Sequence, residues 1–513
     1  MRLETRETKT PRTVLSAFCF RSAILLTCAV AASSLAAQPR PTFPKIAVLP
    51  FESADRDTAQ PDLGFGLAAE VAHRLLQVPG IVGRPMSAIA DSARARENLQ
   101  RWAHELDVDY LLTGTLGVSA SRYNVECQLR RWPGGTEVVS EKVSVSEEEL
   151  PQLAARIAGS VVEALPVEKD STTNRVFKGN LPSSSLYLAF LQVLASTPKT
   201  AEEKEQRLRS LEPVAEQTEY PPVLALLGRL YLDRAGEIGG QGPYYRLAEE
   251  TLKRAFDLDP DFPPSRELLA SLFAKRGNSE QTLALMQEGL VRHPTYAGFH
   301  KTLGYVLRYG GLMDESIAAY QRTQELDGSL PNLVSTQDQI TKSYIYQGDY
   351  SRALASHHEM LAVLERIDRK PNEKQIFYEG VILLYAGEKA KAIECFQRAA
   401  KLEPDSVWTT FGLAYQGIAE NDPDVVAGIM DRLEQRVVVD GERHYRLVHF
   451  CSFLERREAA LEHLQIAIES GFFNSPYIRK DPLTVALHDH LRFKELLQTA
   501  EARHLAFRKL LTR

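Results

Sequence analysis

The feature that most constrains this sequence is a repeat of about 34 residues that runs from about residue 220 to residue 470. In each copy, a helix-length segment with apolar residues at helical spacing precedes a second segment that begins near a small residue. Two antiparallel helices approach to about 8–10 Å only where a side chain at their contact is small, so the spacing predicts stacked helical hairpins. The small residues are Ala248, Thr282, Ser316, Ala353, Ala392, Ala427 and Ala460.

Glycines in the first segment and prolines after the second follow the same period. The glycines are expected to face the small residues of the second helix, and each proline ends a helix because it has no N–H to donate. This pattern resembles the tetratricopeptide repeat, which implies a right-handed solenoid of about seven or eight hairpins over residues 181–488 and a capping helix over residues 489–513. The residues are Gly228, Gly304, Gly380, Gly412, Pro260, Pro294 and Pro404.

The part of the chain before the repeats has a different pattern. Between residues 44 and 166, short apolar runs alternate with amphipathic segments, and Pro133-Gly134-Gly135 predicts a hairpin turn. Strands that alternate with helices and end in a hairpin predict a small mixed sheet with helices packed on it. The predicted fold class is therefore α/β for this domain and all-α for the array, with residues 167–180 as a polar linker.

Three segments of the α/β domain carry a further resemblance. Residues 46–51 (IAVLPF), 64–70 (GFGLAAE) and 105–114 (ELDVDYLLTG) look like the TolB amino-terminal-like domain, in that order. That domain often precedes tetratricopeptide repeats in bacterial regulators and adenylate cyclases, including the periplasmic parts of CadC-like transmembrane regulators. The resemblance therefore implies a bacterial protein, although no DNA-binding or cyclase domain precedes the match.

The first 36 residues predict export. Arg2, Arg6 and Lys9 precede an apolar stretch over residues 23–32, and small residues follow at 34–36 (SLA), as in a secretory signal. The apolar stretch is short for a helix that crosses about 30 Å of hydrocarbon, so cleavage is the first interpretation and an uncleaved membrane anchor is the alternative. Either interpretation places the body of the protein in the periplasm or outside the cell.

Composition and motifs exclude several classes of function. Hydrophobic residues make up 44% and charged residues 25%, which is typical of globular proteins, and a net charge of −6 gives no overall attraction for nucleic acid. The sequence contains no GxxxxGK[ST] phosphate loop, no GxSxG nucleophile elbow, no CxxC pair and no HExxH pair. We therefore expect no enzymatic activity, no cofactor and no metal site. Cys127, Cys395 and Cys451 are interpreted as buried thiols.

A binding groove is predicted on the exposed face of the first helix of each hairpin. Aromatic rings offer a large contact area at low entropic cost, and cations bind carbonyls, acidic side chains or a terminal carboxylate. An error of register would instead place several of these residues in the core between repeats. The predicted groove residues are Arg229, Lys301, Tyr305, Arg308, Tyr309, Lys342, Tyr346, Phe377, Tyr385, His449 and Phe453.

These observations lead to one main hypothesis and two alternatives. The main hypothesis is a non-catalytic scaffold for protein–protein interaction that binds a peptide or protein partner in the bacterial envelope. The first alternative is a periplasmic sensor or regulatory input domain, which the CadC-like resemblance implies. The second is an envelope assembly factor, for which the TolB-like resemblance is the only support.

Overall fold

The computed structural model describes residues 43–54, 63–84, 99–119, 121–168, 181–237, 242–436 and 440–511. The predicted export segment at 1–36 lies outside these residues, as does most of the predicted linker at 169–180. Pro44–Arg513 form one compact unit. Among the described helices, none combines the length and hydropathy that crossing a membrane requires.

The N-terminal domain contains a small mixed sheet, as predicted. Its strand order is β3-β1-β4-β5-β6, and β2 pairs with β4 off this path. The first strand is parallel to its two neighbours, whereas the last three strands are antiparallel and follow one another along the chain. The strands are β1 Lys45–Val48, β2 Glu52–Ser53, β3 Val82–Gly83, β4 Tyr110–Ser119, β5 Arg122–Arg131 and β6 Thr136–Ser146.

Three helices pack against the sheet: α1 (Leu63–Leu76), α2 (Leu99–Glu105) and α3 (Leu150–Ala164). One face of α1 contacts α3 and the sheet, and α1 also lies against the first helix of the array. At that contact, a Cβ added to Gly66 would lie 2.2 Å from the carbonyl oxygen of Leu191. The backbones of the two helices therefore touch, and this close approach joins the α/β domain to the array.

Sixteen helices follow and pair consecutively into eight hairpins within the described residues. The helices are α4 Ser184–Ala195, α5 Ala201–Glu216, α6 Pro221–Glu237, α7 Tyr244–Leu258, α8 Pro263–Lys275, α9 Ser279–Arg292, α10 Ala297–Tyr309, α11 Met313–Leu326, α12 Leu330–Gln347, α13 Tyr350–Arg366, α14 Glu373–Tyr385, α15 Lys389–Leu402, α16 Val407–Glu420, α17 Pro423–Arg436, α18 Gly441–Phe453 and α19 Arg457–Glu469. The predicted α/β domain followed by a helical solenoid is confirmed.

Small residues allow the paired helices to approach, although one position in the predicted series was wrong. The Ser316 hydroxyl donates to the Gly304 carbonyl across one hairpin at 2.8 Å. A Cβ on Gly304, however, would lie 2.9 Å from the ring of Tyr320, four residues after the small residue. The glycines of the first helix thus make room for the large side chain that follows the small residue by one turn of the second helix. In the seventh hairpin, Val426 is fully buried and Ala427 is only half-buried, so the predicted position is off by one.

Gly412 also differs from its predicted role. A Cβ on this residue would lie 3.2 Å from the ring of Phe396, which belongs to the second helix of the preceding hairpin. Ala414 is fully buried two residues further along α16, one repeat length after Gly380. Gly412 therefore serves the contact between two hairpins and not the contact within its own hairpin.

After the last hairpin, the chain folds back onto the inner side of the array. It forms α20 (Ser475–Ile478), a 3-10 turn (Pro482–Leu487) and α21 (Leu491–Leu510). The turns at Gly277 and Gly471 touch, since a Cβ on Gly471 would lie 2.8 Å from the Gly277 Cα, and both glycines have positive φ. The end of the eighth hairpin therefore contacts the turn of the third hairpin directly.

Candidate functional site

A cavity of about 400 Å³ opens on the inner face of the array. Its lining comes almost entirely from the first helices of seven consecutive hairpins, α6 to α18, so the array curls around it. This volume is within the range of ligand-binding clefts. Its charged lining residues are Arg229, Asp233, Glu267, Lys275, Lys301, Arg308, Lys342, Asp440, Glu442, Arg443 and Arg446.

The floor of the cavity is a buried cluster around Glu442. The Glu442 carboxylate accepts hydrogen bonds from Arg308 and Arg446 at 2.9 Å each and from the Tyr378 hydroxyl at 3.1 Å. Burial by itself would raise the pKa of Glu442, but the two guanidinium groups hold this pKa well below its usual range. The cluster therefore stays ionised, with two positive charges for one negative charge.

A second cluster, around Asp338, lies beside the first. Its carboxylate is 3.0 Å from the Lys342 ammonium and 3.3 Å from the Lys374 ammonium. Burial opposes ionisation, but both lysines lower the pKa of Asp338 to about 2. Lys342 and burial in turn lower the pKa of Lys374, because two cations share one carboxylate. This part of the wall again carries an excess of positive charge.

Four further cations surround the cavity and have no carboxylate within salt-bridge distance among the described residues. They are Arg229 on α6, Lys275 on α8, Lys301 on α10 and Arg443 on α18. Burial lowers the pKa of Lys275 and Lys301, although Asp233 and Asp440 oppose this shift at Lys275 and Glu267 and Asp327 oppose it at Lys301. We call these four residues the cationic rim. The guanidinium of Arg443 also lies over the ring of Trp408, 5.5 Å from its centroid.

The inner face beyond the cavity is filled by the chain itself. Asp481, from the returning segment, accepts hydrogen bonds from Tyr445 at 3.0 Å and Tyr385 at 3.2 Å, and lies 2.8 Å from His449. The ring of Tyr477 lies 4.7 Å from that of Tyr346, centroid to centroid. The returning segment therefore covers much of the inner face of the later hairpins, whereas the cavity beside it is open.

The predicted groove residues divide according to this arrangement. Tyr346 and Tyr385 contact the returning segment, and His449 is buried beside Asp481. Phe377 is fully buried in the hydrophobic core, so its prediction as a groove residue was wrong, and Phe453 packs against that core. Those that line the cavity are Arg229, Lys301, Tyr305, Arg308, Tyr309 and Lys342.

Several residues of the cavity were not predicted from the sequence, although the sequence pattern contained a signal for some of them. Glu442 and Arg446 lie seven and three residues before His449, on the same helical face, so extending that face toward the N-terminus would have found them. Tyr378 is adjacent to Phe377, and a shift of register by one residue brings it to the cavity. Lys275 and Trp408 stand at helix ends, where the repeat pattern gives little guidance.

With this geometry established, the chain can be compared with known proteins. Residues 374–406, which include most of α14 and all of α15, match the family described as Tetratricopeptide repeat. Over 62 residues the chain is 42% identical to the DnaJ homolog subfamily C member 7 homolog of Schizosaccharomyces pombe. That match spans 12% of this chain and only 12% of the length of the curated relative. The matched repeat and the eight hairpins together define the array as a tetratricopeptide-like solenoid.

Three solved structures are similar to part of this chain. A thermophilic TPR protein of Thermus thermophilus matches at 17% identity and a TM-score of 0.31, over 38% of this chain and 96% of that chain. The Cut9–Hcn1 assembly of the APC/C matches at 13% identity and a TM-score of 0.41, over 71% and 69%. A Rap protein complexed with competence and sporulation factor matches at 13% identity and a TM-score of 0.44, over 63% and 93%.

A histidine pair between α18 and α19 predicts a dependence of stability on pH. The Nδ1 atoms of His444 and His463 lie 3.3 Å apart, and burial together with His463 lowers the pKa of His444 from 6.5 to about 4. The unfolded chain thus binds this proton more tightly than the folded chain does. The stabilisation is complete above pH 6.5 and is lost as the pH falls toward about 4.

We therefore expect the thermal unfolding midpoint of the wild type to fall more steeply over this pH interval than that of His444→Gln. The matched control is His104→Gln, which replaces an exposed histidine on α2. It should follow the wild-type curve. Parallel curves for the wild type and His444→Gln would contradict the assignment.

Proposed function

We propose that this chain is a non-catalytic scaffold that binds a segment of a partner protein in the inner cavity of its solenoid, in the bacterial envelope. The observation that carries the proposal is the cationic rim around an open cavity whose surroundings are otherwise filled by the chain itself. Cations that form no salt bridge and ring surfaces that line a cavity are groups that a partner can contact. The tetratricopeptide match supports a role in protein interaction.

The proposed location in the envelope has separate support. It rests on the signal-like pattern of residues 1–36 and on the resemblance of the α/β domain to the TolB amino-terminal-like domain. A partner in the envelope fraction, and not in the cytosolic fraction, is the result that this location requires.

The test is affinity capture with a pair of matched double variants. The cavity variant combines Lys301→Gln and Arg443→Gln, which remove two charges of the cationic rim. The outer-face control combines Lys401→Gln and Arg432→Gln, which remove two exposed charges from α15 and α17. Arg308 and Lys342 are avoided because both are buried in ion pairs, so replacing them would disturb the fold.

We expect the wild type and the outer-face control to capture the same partner from envelope extract, and the cavity variant to lose at least about nine-tenths of it, because two charge-assisted contacts are removed. Equal thermal midpoints for the three proteins establish that all are folded. Equal capture by the cavity variant would reject the cavity as the binding site. Capture from cytosolic extract alone would reject the envelope location.

A further inference from the structure

The cavity carries a strong local charge that the whole chain does not share. Seven cations and four carboxylates line it, an excess of three positive charges, whereas the full chain has a net charge of −6. The excess is therefore a property of this site and not of the overall composition. A cleft lined mainly by one sign of charge concentrates ligands of the opposite sign.

The excess of positive charge has three sources within the cavity. Asp440 and Glu267 accept hydrogen bonds from the neutral Arg443 N–H and Tyr296 hydroxyl, both at 3.0 Å, and keep their charge, so with Asp233 they oppose three of the four charges of the cationic rim. Glu442 and Asp338 each bind two cations, so each of these clusters keeps one further positive charge. What the site lacks is negative charge, so the missing ligand is an anion.

The position of the rim cations indicates how many anionic groups the ligand carries. The four side chains come from the second, third, fourth and eighth hairpins, which stand around the cavity. A single terminal carboxylate carries one negative charge, so it would leave two of the three excess positive charges of the cavity unbalanced. At least two carboxylates are required.

The walls and the closed end of the cavity add two more constraints. Tyr305 and Trp408, which are half-buried, present ring surface between the cations, which favours an apolar or aromatic side chain in the ligand. The returning segment with Tyr477 and Asp481 blocks the inner face beyond, so the ligand cannot extend along the whole array. The ligand is therefore short.

We infer that the cavity binds a short segment of a partner protein in which two or more aspartate or glutamate side chains alternate with an apolar or aromatic residue. The inference rests on the proposed function, since it names the class of segment that the scaffold binds. Side-chain carboxylates supply the charge, and the ring walls contact the residue between them.

The experiment uses the full chain and three synthetic heptapeptides in isothermal titration calorimetry at low salt. The acidic peptide is Gly-Glu-Leu-Glu-Tyr-Glu-Gly with both ends capped, so that its only charges are on side chains. The neutral peptide replaces each glutamate with glutamine. The third peptide is the neutral peptide with a free C-terminal carboxylate.

We expect the acidic peptide to bind at least about tenfold more tightly than either glutamine peptide, and the added affinity to fall as salt is raised. The cavity variant should lose most of this difference, while the outer-face control should retain it. If the glutamine peptides bind as tightly as the acidic peptide, the acidic class is rejected but the peptide-binding function stands. If the free carboxylate restores full affinity, the preference for side chains is rejected. If none of the three peptides binds, the result contradicts both the inference and the proposed function.

Discussion

Replacing Glu442 with glutamine is expected to lower the free energy of unfolding by about 3–5 kcal/mol, the usual cost of breaking a buried ion pair on one side. The substitution keeps the shape of the side chain but removes its charge. Arg308 and Arg446, which are only 1% and 5% exposed, would then remain buried beside a neutral amide. Urea unfolding followed by circular dichroism measures the change.

The control for this prediction is Glu458→Gln on α19, whose side chain is 90% exposed. It should change the free energy of unfolding by less than about 0.5 kcal/mol. Combining Glu442→Gln with Arg446→Met removes one of the two stranded charges, so the double variant should cost less than the two single variants added together. Additive costs would show that the charges are not coupled.

Replacing Gly66 with alanine is expected to destabilise the protein by about 3 kcal/mol, at the upper end of the usual range for overpacking. The new methyl group would lie 2.2 Å from the backbone oxygen of Leu191, which cannot move without shifting α4 away from α1. This shift also disturbs the buried contact in which Tyr220 of the array and Arg74 both donate to the Glu70 carboxylate. The α/β domain should therefore become less tightly joined to the array.

The same substitution at Gly159 provides the matched control. Gly159 lies on α3, and a Cβ added there would meet nothing within 4 Å among the described residues. Alanine at this position should be neutral or stabilising by up to about 1 kcal/mol, because alanine has the higher helix propensity. If both variants have the same stability as the wild type, the contact between α1 and α4 does not hold the two parts together.

The sequence predicts the local pattern of this protein well, because that pattern depends on neighbours along the chain. The alternation of strands and helices before residue 166 and the hairpins after it follow from apolar spacing and small residues, and both occur in the structure. The wrong predictions place a residue on the wrong side of its helix. Adjacent positions on a helix point about 100° apart, so a shift of one residue exchanges Phe377 in the core for Tyr378 at the cavity.

The returning segment is the part that local pattern could not predict. Tyr385 and Asp481 meet although they are 96 residues apart, and no periodicity in either segment indicates the contact. The cationic rim has the same origin, since its residues are brought together only when the array curls. The types of residue at the site were visible in the sequence, but their grouping depends on tertiary contacts.

The return of the last helix also changes how the array should respond to force. A solenoid whose hairpins contact only their neighbours extends elastically under tension and unfolds one repeat after another. In this protein, Gln287 on α9 donates to the carbonyl of Leu510, and Arg503 pairs with Glu280, so the final helix closes a ring with the third hairpin. Tension applied to the ends of the chain would act first on these contacts between the final helix and the third hairpin. The hairpins inside the ring would then unfold together, in a single step.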